Sequence, residues 1–187
     1  MPNMTENMEI LISELKNSFP IVESRTVKPG QGFIVIEQKD IVGIISALKT
    51  VQGFTHLAFL TAVDMIEDGF FYLVYMLRNH ETKTDLGVKA AVPRDGAEAG
   101  SIHHLWKQAA TYQRELYEMF GISFPGSPGM KDPFILEGWD NVPPMRREFD
   151  TKKYSEETFF PRPGRTSNDP TRHMEETIYP EHPRKEK

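Results

Sequence analysis

The chain has 187 residues, 39% of them hydrophobic, with a formal net charge of −5 and no cysteine. That length suits one domain of ordinary size plus an extension. The composition excludes a disulfide framework, a cysteine-ligated iron–sulfur cluster and a thiolate zinc site, and the acidic balance offers no basic surface for nucleic acid.

The N-terminal stretch MPNMTENMEILISELK has neither the basic start nor the long apolar run of a signal peptide. No apolar run approaches the ~20 residues of a membrane span. The chain is expected to be soluble and to reach a membrane only through a partner.

The first element is a helix over Thr5–Ser18, capped by Thr5, with Met8, Leu11, Ile12 and Leu15 on one face. Ile21–Val27 and Phe33–Gln38 are β-rich and separated by Lys28-Pro29-Gly30-Gln31-Gly32, which predicts a hairpin. Lys39-Asp40 opens a second helix, its apolar side made by Ile41, Ile44, Ile45 and Leu48. Three strands follow, over Thr55–Asp64, Phe70–Arg78 and Asp85–Val92, with tight turns that favour antiparallel pairing. In the middle one, Phe71, Leu73, Tyr75 and Leu77 share one face and Phe70, Tyr72, Val74 and Met76 the other. Both faces are apolar, so this strand is expected to be central and covered on both sides.

Gly96–Gly100 is a link of small residues, and Ser101 is placed as the cap of a helix over 101–120. Leu105, Ala109, Tyr112, Leu116 and Met119 recur at three- and four-residue steps as its apolar stripe. Gly121 stands where a helix C-terminus needs positive φ. The predicted fold is α+β: a small mixed or antiparallel sheet flanked by helices over residues 1–120, then a long irregular Pro-rich C-terminal extension over 121–187.

That extension holds ten of the fourteen prolines. Its apolar residues are mostly single: Phe124, Phe134, Ile135, Leu136, Trp139, Val142, Met145, Phe149, Phe159 and Phe160. A segment of this kind cannot build its own core, so it is expected to order by laying anchors on a partner, with disorder over the last ~15 residues. Prolines lower the entropy lost on docking, and aromatics with arginine dominate protein interfaces. Pro143, Arg146 and Arg147 therefore join Trp139 as interface candidates.

Chemistry is poorly supported. His103 and His104 are adjacent and point about 100° apart on a helix, and no H-x₃-H or HExxH spacing occurs. There is no GxGxxG, P-loop or GxSxG. Glu115 and Glu118 could form a carboxylate pair, but an Arg114–Glu118 ion pair at i,i+4 explains them better. No catalytic, cofactor-binding or metal residue is assigned.

Two blocks do carry a resemblance. One is Gln113-Arg114-Glu115-Leu116-Tyr117-Glu118-Met119-Phe120-Gly121-Ile122-Ser123-Phe124-Pro125-Gly126-Ser127-Pro128. The other is Trp139 followed by Pro144-Met145-Arg146-Arg147-Glu148. At these residues the sequence resembles the peripheral-arm 30-kDa subunit family of NADH:quinone oxidoreductase, respiratory complex I. The same family includes the equivalent subunit of group 4 membrane-bound nickel–iron hydrogenases. Its pattern runs Glu-Arg-Glu, two residues, an acid, two apolar residues, Gly-Ile, then Phe-x-Gly-His-Pro. Gln113 here stands for the first acid, Ser127 for the histidine, and 129–134 lacks the usual paired basic residues.

The resemblance implies a non-catalytic structural and assembly subunit in the hydrophilic arm of a membrane-bound complex that couples electron transfer to ion translocation. It implies a cytoplasmic-side, peripheral location. Partners would be the large hydrogenase-like subunit and the iron–sulfur small subunit. Iron–sulfur clusters, and a flavin or nickel–iron site, would lie in partners and no cofactor in this chain. Arg114, Glu115, Glu118, Phe120, Gly121, Phe124, Trp139, Pro143, Arg146 and Arg147 would form the interface. Two alternatives stay open beside the quinone type: the equivalent subunit of a ferredoxin-driven nickel–iron hydrogenase or related complex, and an adaptor with a disordered tail. A free-standing α+β enzyme is the third class, and it would need a pocket with converging polar groups.

Overall fold

In the computed structural model, which describes residues 4–136 and 138–157, the β-rich runs pair into a five-stranded sheet. The elements in order are α1 (Met4–Ser18), β1 (Ile21–Lys28), β2 (Gln31–Ile36), a 3₁₀ turn (Gln38–Asp40), α2 (Ile41–Thr50), β3 (His56–Met65), β4 (Phe70–Asn79), β5 (Thr84–Pro93), α3 (Ala109–Phe120) and α4 (Thr151–Glu157). The fold is α+β, as its pattern of elements indicates. The expectation of disorder in the last ~15 residues, and the anchors Phe159 and Phe160, lie outside the described residues.

The strand order is β1-β2-β5-β4-β3. β1–β2, β3–β4 and β4–β5 pair antiparallel, while β2 and β5 pair parallel over Gln31–Ile36 and Asp85–Ala90. Helices α1, α2 and α3 cover one face. Leu15 of α1, Ile44 and Leu48 of α2, and Leu116 and Phe120 of α3 join Ile34, Leu73, Tyr75 and Val88 of the sheet in one buried cluster. The expectation that β4 is central and covered on both sides needs correction. The middle strand is β5, because β2 inserts on its far side. On the face bearing Phe70, Tyr72, Val74 and Met76 only Val74 is buried, and the other three are half-buried. Apolar residues on both faces of a strand do not by themselves show that both are covered.

Two helix starts also differ from the pattern. Helix α1 begins at Met4, one residue before the expected cap. Helix α3 begins at Ala109, eight residues after Ser101. The segment between is a run of tight turns, with the Leu105 and Trp106 amides donating to the Ile102 carbonyl. Tertiary bonds override the helical pattern there. Trp106 Nε1 donates to the Thr55 carbonyl (2.8 Å), Gln108 Nε2 to Leu57 (2.6 Å) and Tyr112 Oη to Ala58 (3.3 Å). These three side chains occupy carbonyls along the edge strand β3 and so protect a sheet edge.

The chain divides into two units, Met1–Arg147 and Glu148–Lys187. Residues 121–147, assigned from composition to the extension, thus lie in the first unit. In the second, the Asp150 side chain accepts the Lys153 amide (2.9 Å) and starts α4 in the manner of an N-cap.

Candidate functional site

Helix α3 ends because Gly121 takes φ +75°, and its amide closes back on the Tyr117 carbonyl at 2.9 Å. A helix end leaves carbonyls without intrahelical partners. Two of them are met from far along the chain. The Met145 amide donates to the Met119 carbonyl (3.0 Å), and Arg146 Nε to the Phe120 carbonyl (2.6 Å). The Arg146 charge also suits the negative end of the helix dipole. Gly121 leaves room for this: a Cβ there would stand 2.9 Å from Arg146 Nη2 and 3.4 Å from Pro143 Cγ.

Next to this cap lies a charge cluster. Asp64, at the end of β3, has a side chain only 2% exposed. Arg94 faces it with Nε 2.9 Å from Oδ1 and Nη2 donating to Oδ2 at 3.1 Å. The Arg147 amide donates to the same Oδ2 at 2.9 Å. The Arg147 guanidinium reaches outward to Glu67, at 2.5 and 2.6 Å, and holds that carboxyl below its ordinary pKa. Arg94 and Arg146 each lie 5.4 Å from the centre of the Phe71 ring. Phe71 in turn meets Phe120 edge-on at 6.0 Å. The Pro143–Arg147 block is thereby fixed to β3, β4 and α3.

Between the cap and this block runs a loop held by Glu118. Its two oxygens accept the Phe134 and Ile135 amides at 2.8 and 2.9 Å. Burial pushes the Glu118 carboxyl up, but the Phe134, Ile135 and Leu136 amides and the Arg114 charge outweigh it, and its pKa is lowered. The expected Arg114–Glu118 ion pair does not form. Arg114 instead lies 5.1 Å from the centre of the Phe134 ring, because the glutamate is already occupied by backbone donors. Trp139 Nε1 donates to the Val142 carbonyl at 3.1 Å. An open groove of about 470 Å³ is left between loop and helix, lined by Tyr117, Glu118, Lys131, Leu136, Trp139 and Pro143 among others.

The candidate residues thus gather around one helix end, in unequal roles. Phe124 and Phe120 are buried in this chain's own core, so neither presents a surface. Burying Phe124 contributes roughly 2–3 kcal/mol of transfer free energy. Arg146 caps α3, and Arg147 bonds Asp64 and Glu67. Arg114, Glu115, Glu118, Trp139 and Pro143 are half-buried. Around the groove, Ile135, Val142 and Met145 stand 66, 38 and 58% exposed. Sequence reasoning missed Asp64 and Arg94. A signal was present: Asp64 falls in strand register with Phe71, on the core side, where an acid requires a partner. It also missed that Gln113, not only the expected stripe, is fully buried, with Oε1 accepting from Ser101 Oγ at 2.8 Å. Among the described residues, no group of three or more His, Asp or Glu could hold a metal ion, and no helix is long and apolar enough to cross a membrane.

A family model described as "Respiratory-chain NADH dehydrogenase, 30 Kd subunit" matches residues 34–155, which include the whole of this site. The chain belongs to that family. A relative from Moorella thermoacetica, the C subunit of NADH-quinone oxidoreductase, is 31% identical over 147 residues, covering 76% of this chain and 95% of the relative. A Psychrobacter relative, named as the C/D subunit of NADH-quinone oxidoreductase, is 28% identical over 79% of this chain, yet the match spans only 26% of that longer protein. Among solved structures, a chain of the membrane-bound sulfane sulfur reductase, described as an archaeal respiratory membrane complex, superposes with a TM-score of 0.76. It is 26% identical, and the match covers 82% of this chain and 92% of that one. These relatives are subunits of larger assemblies, and the 30-kDa family fold is the α+β fold described above.

Proposed function

We propose that this 30-kDa-family chain is a non-catalytic structural subunit in the hydrophilic arm of a complex I-like, membrane-bound redox complex of the NADH:quinone type, which couples electron transfer to ion translocation. The observation that carries this reading is the use of the family block itself. Its charged residues and Trp139 build the α3 terminus and the groove beside it, with Phe120 and Phe124 packed beneath in the core, instead of converging as acid, base and nucleophile. Ile135, Val142 and Met145 expose apolar area beside Trp139 and the groove, which supports docking of a partner there.

In this reading the groove faces the large hydrogenase-like subunit, and an iron–sulfur small subunit lies next to it. The longer C/D relative supports the first partner, since two subunits joined in one chain work side by side. Iron–sulfur clusters, and a flavin or nickel–iron centre, belong to partners. A chain with no cysteine fits that division. The chain sits on the cytoplasmic side of the membrane and is held there by the assembly.

The structural likeness to the sulfane sulfur reductase chain favours a second reading, as the equivalent subunit of a hydrogenase-type or related complex without NADH-binding subunits. One experiment separates them. The tagged chain is recovered from native membranes in mild detergent, and its companions are identified by mass spectrometry. The expected result is a large hydrogenase-like subunit, an iron–sulfur subunit, antiporter-like membrane subunits and NADH-binding flavin subunits. The same set lacking the flavin subunits selects the second reading. A chain recovered alone from well-preserved membranes overturns both.

A further inference from the structure

The sheet has a second face that the helices leave open. Strand register lays it out in rows across the five strands. One row is Arg25, Phe33, Gly87, Met76 and Phe59. The next is Glu23, Val35, Lys89, Val74 and Thr61. Beyond them Tyr72 pairs with Val63 and Ala91. Phe59 and Val63 are 41 and 47% exposed. An apolar surface continuous over several strands marks an interaction site more often than a single exposed side chain does.

The face is shaped as well as apolar. A Cβ on Gly87 would stand 2.2 Å from Cδ1 and Cε1 of Phe33, so one edge of the ring occupies the space that the glycine leaves. Lys89 Nζ sits 4.9 Å from the centre of that ring. Glu23, Arg25, Phe33, Val35, Tyr72 and Lys89 line a depression of about 300 Å³. Its floor is aromatic and aliphatic, and two cations face one acid at its sides. Among the described residues, neither Arg25 nor Lys89 has a carboxylate partner. In a chain of net charge −5, two such cations beside an apolar floor form a local positive site.

We infer that this open face is a second docking surface, on the side of the sheet away from α3, for a segment of another subunit that carries a carboxylate next to apolar side chains. The inference rests on the reading of the chain as an assembly subunit. The carboxylate meets Arg25 and Lys89, while its apolar neighbours cover Phe33, Val35 and Tyr72. Charge disfavours a second copy of this chain, which would bring the same two cations with a single acid, Glu23, to the same surface, so like charges would outnumber the pairs.

The test uses the full chain in its native membranes. A photo-crosslinking phenylalanine analogue at Phe59 reads what covers the face. The double variant Arg25→Glu/Lys89→Glu reads the charge. The expected adduct is to another subunit, at a segment containing Asp or Glu. The double variant is expected to recover that subunit about tenfold less well at physiological salt, with Lys89→Arg near wild type. Both residues line an exposed face, so the isolated double variant is expected to melt as the wild type does. Exchanging the partner's acid for lysine is expected to restore recovery with the double variant. Adducts only to lipid, to a second copy or to this chain itself overturn the inference, as does unchanged recovery. Failure here is separable from failure of the functional reading. Wild type that brings its partners while the charge-reversed chain brings the same set removes only the sheet-face surface, and wild type returning alone removes both.

Discussion

Asp64 shares the core side of β3 with Leu60 and Ala62, and its charge is tolerated only because Arg94 and the Arg147 amide converge on it. Asp64→Ala removes the carboxylate that Arg94, whose side chain is 16% exposed, and the Arg147 amide both meet. The expected loss is about 3 kcal/mol of stability in urea unfolding, since breaking a buried pair costs more than the pair contributes. An unchanged midpoint would remove this cluster from the account. At Gly121 the constraint is conformational and steric together, with φ at +75° and Arg146 Nη2 within 2.9 Å of a Cβ. Gly121→Ala is expected to cost about 1–2 kcal/mol in the same assay. Glu118 adds a dependence on pH. Its folded pKa is depressed, so its contribution is present above the ordinary carboxylate range and lost as pH falls through the lower folded value. The Phe134 and Ile135 amides are expected to lose protection from hydrogen exchange on acidification below about pH 4.5, and Glu118→Gln to weaken that protection already at neutral pH. A Gln variant with the wild-type acid profile would show that the carboxylate does not hold the loop.

At the scale of the element, α3 depends on residues 25 or so positions downstream to finish its last turn. Arg146→Ala removes a donor to the Phe120 carbonyl and a cation at the negative helix end. Amides of residues 116–120 are expected to exchange roughly fivefold faster, equivalent to about 1 kcal/mol for one charge-assisted bond in a partly exposed place. Unchanged exchange there would mean that the Gly121 turn suffices. Local order explains what the sequence made legible. The β1–β2 hairpin, α2 and the three-strand meander are each set by alternation, helical spacing and a turn glycine within a few residues. The parallel β2–β5 pairing was not legible, because nothing near Gln31 names Asp85 as its neighbour. Nor was the late start of α3. There Trp106 and Gln108 give their hydrogen bonds to β3, a choice that depends on where that edge lies. At the site, Gly121 and the Pro143–Arg147 block were readable as unusual residues. Their use within this chain was not, since a proline-rich stretch reads the same whether its anchors meet a partner or the parent domain.

The whole molecule turns on where the body ends. Composition changes at Gly121, but packing does not. Ile122 and Phe124 are buried, Glu118 holds the 134–136 turn, and Arg147 is the last residue bonded to Asp64 and Glu67. The first unit therefore closes at Arg147, and the bonds that close it are specific enough to test by truncation. A chain ending at Arg147 retains every one of them. A chain ending at Asn141 loses the Met145 amide, the Arg146 cap and the Arg147 amide on Asp64. At about 1 kcal/mol for each hydrogen bond, and a few degrees for each kcal/mol in a domain of this size, the shorter chain is expected to melt roughly 10 °C below the full one by calorimetry. The longer truncation is expected to melt within about 2 °C of the full chain. Equal melting of the two truncations would show that residues 142–147 do not close the fold. A 147-residue chain as weak as the 141-residue one would move the boundary beyond Arg147. If it melts as expected, that 147-residue chain also separates the two uses of the family block: it keeps the α3 terminus, the groove and the open sheet face, so any partner it fails to recover must depend on residues after Arg147.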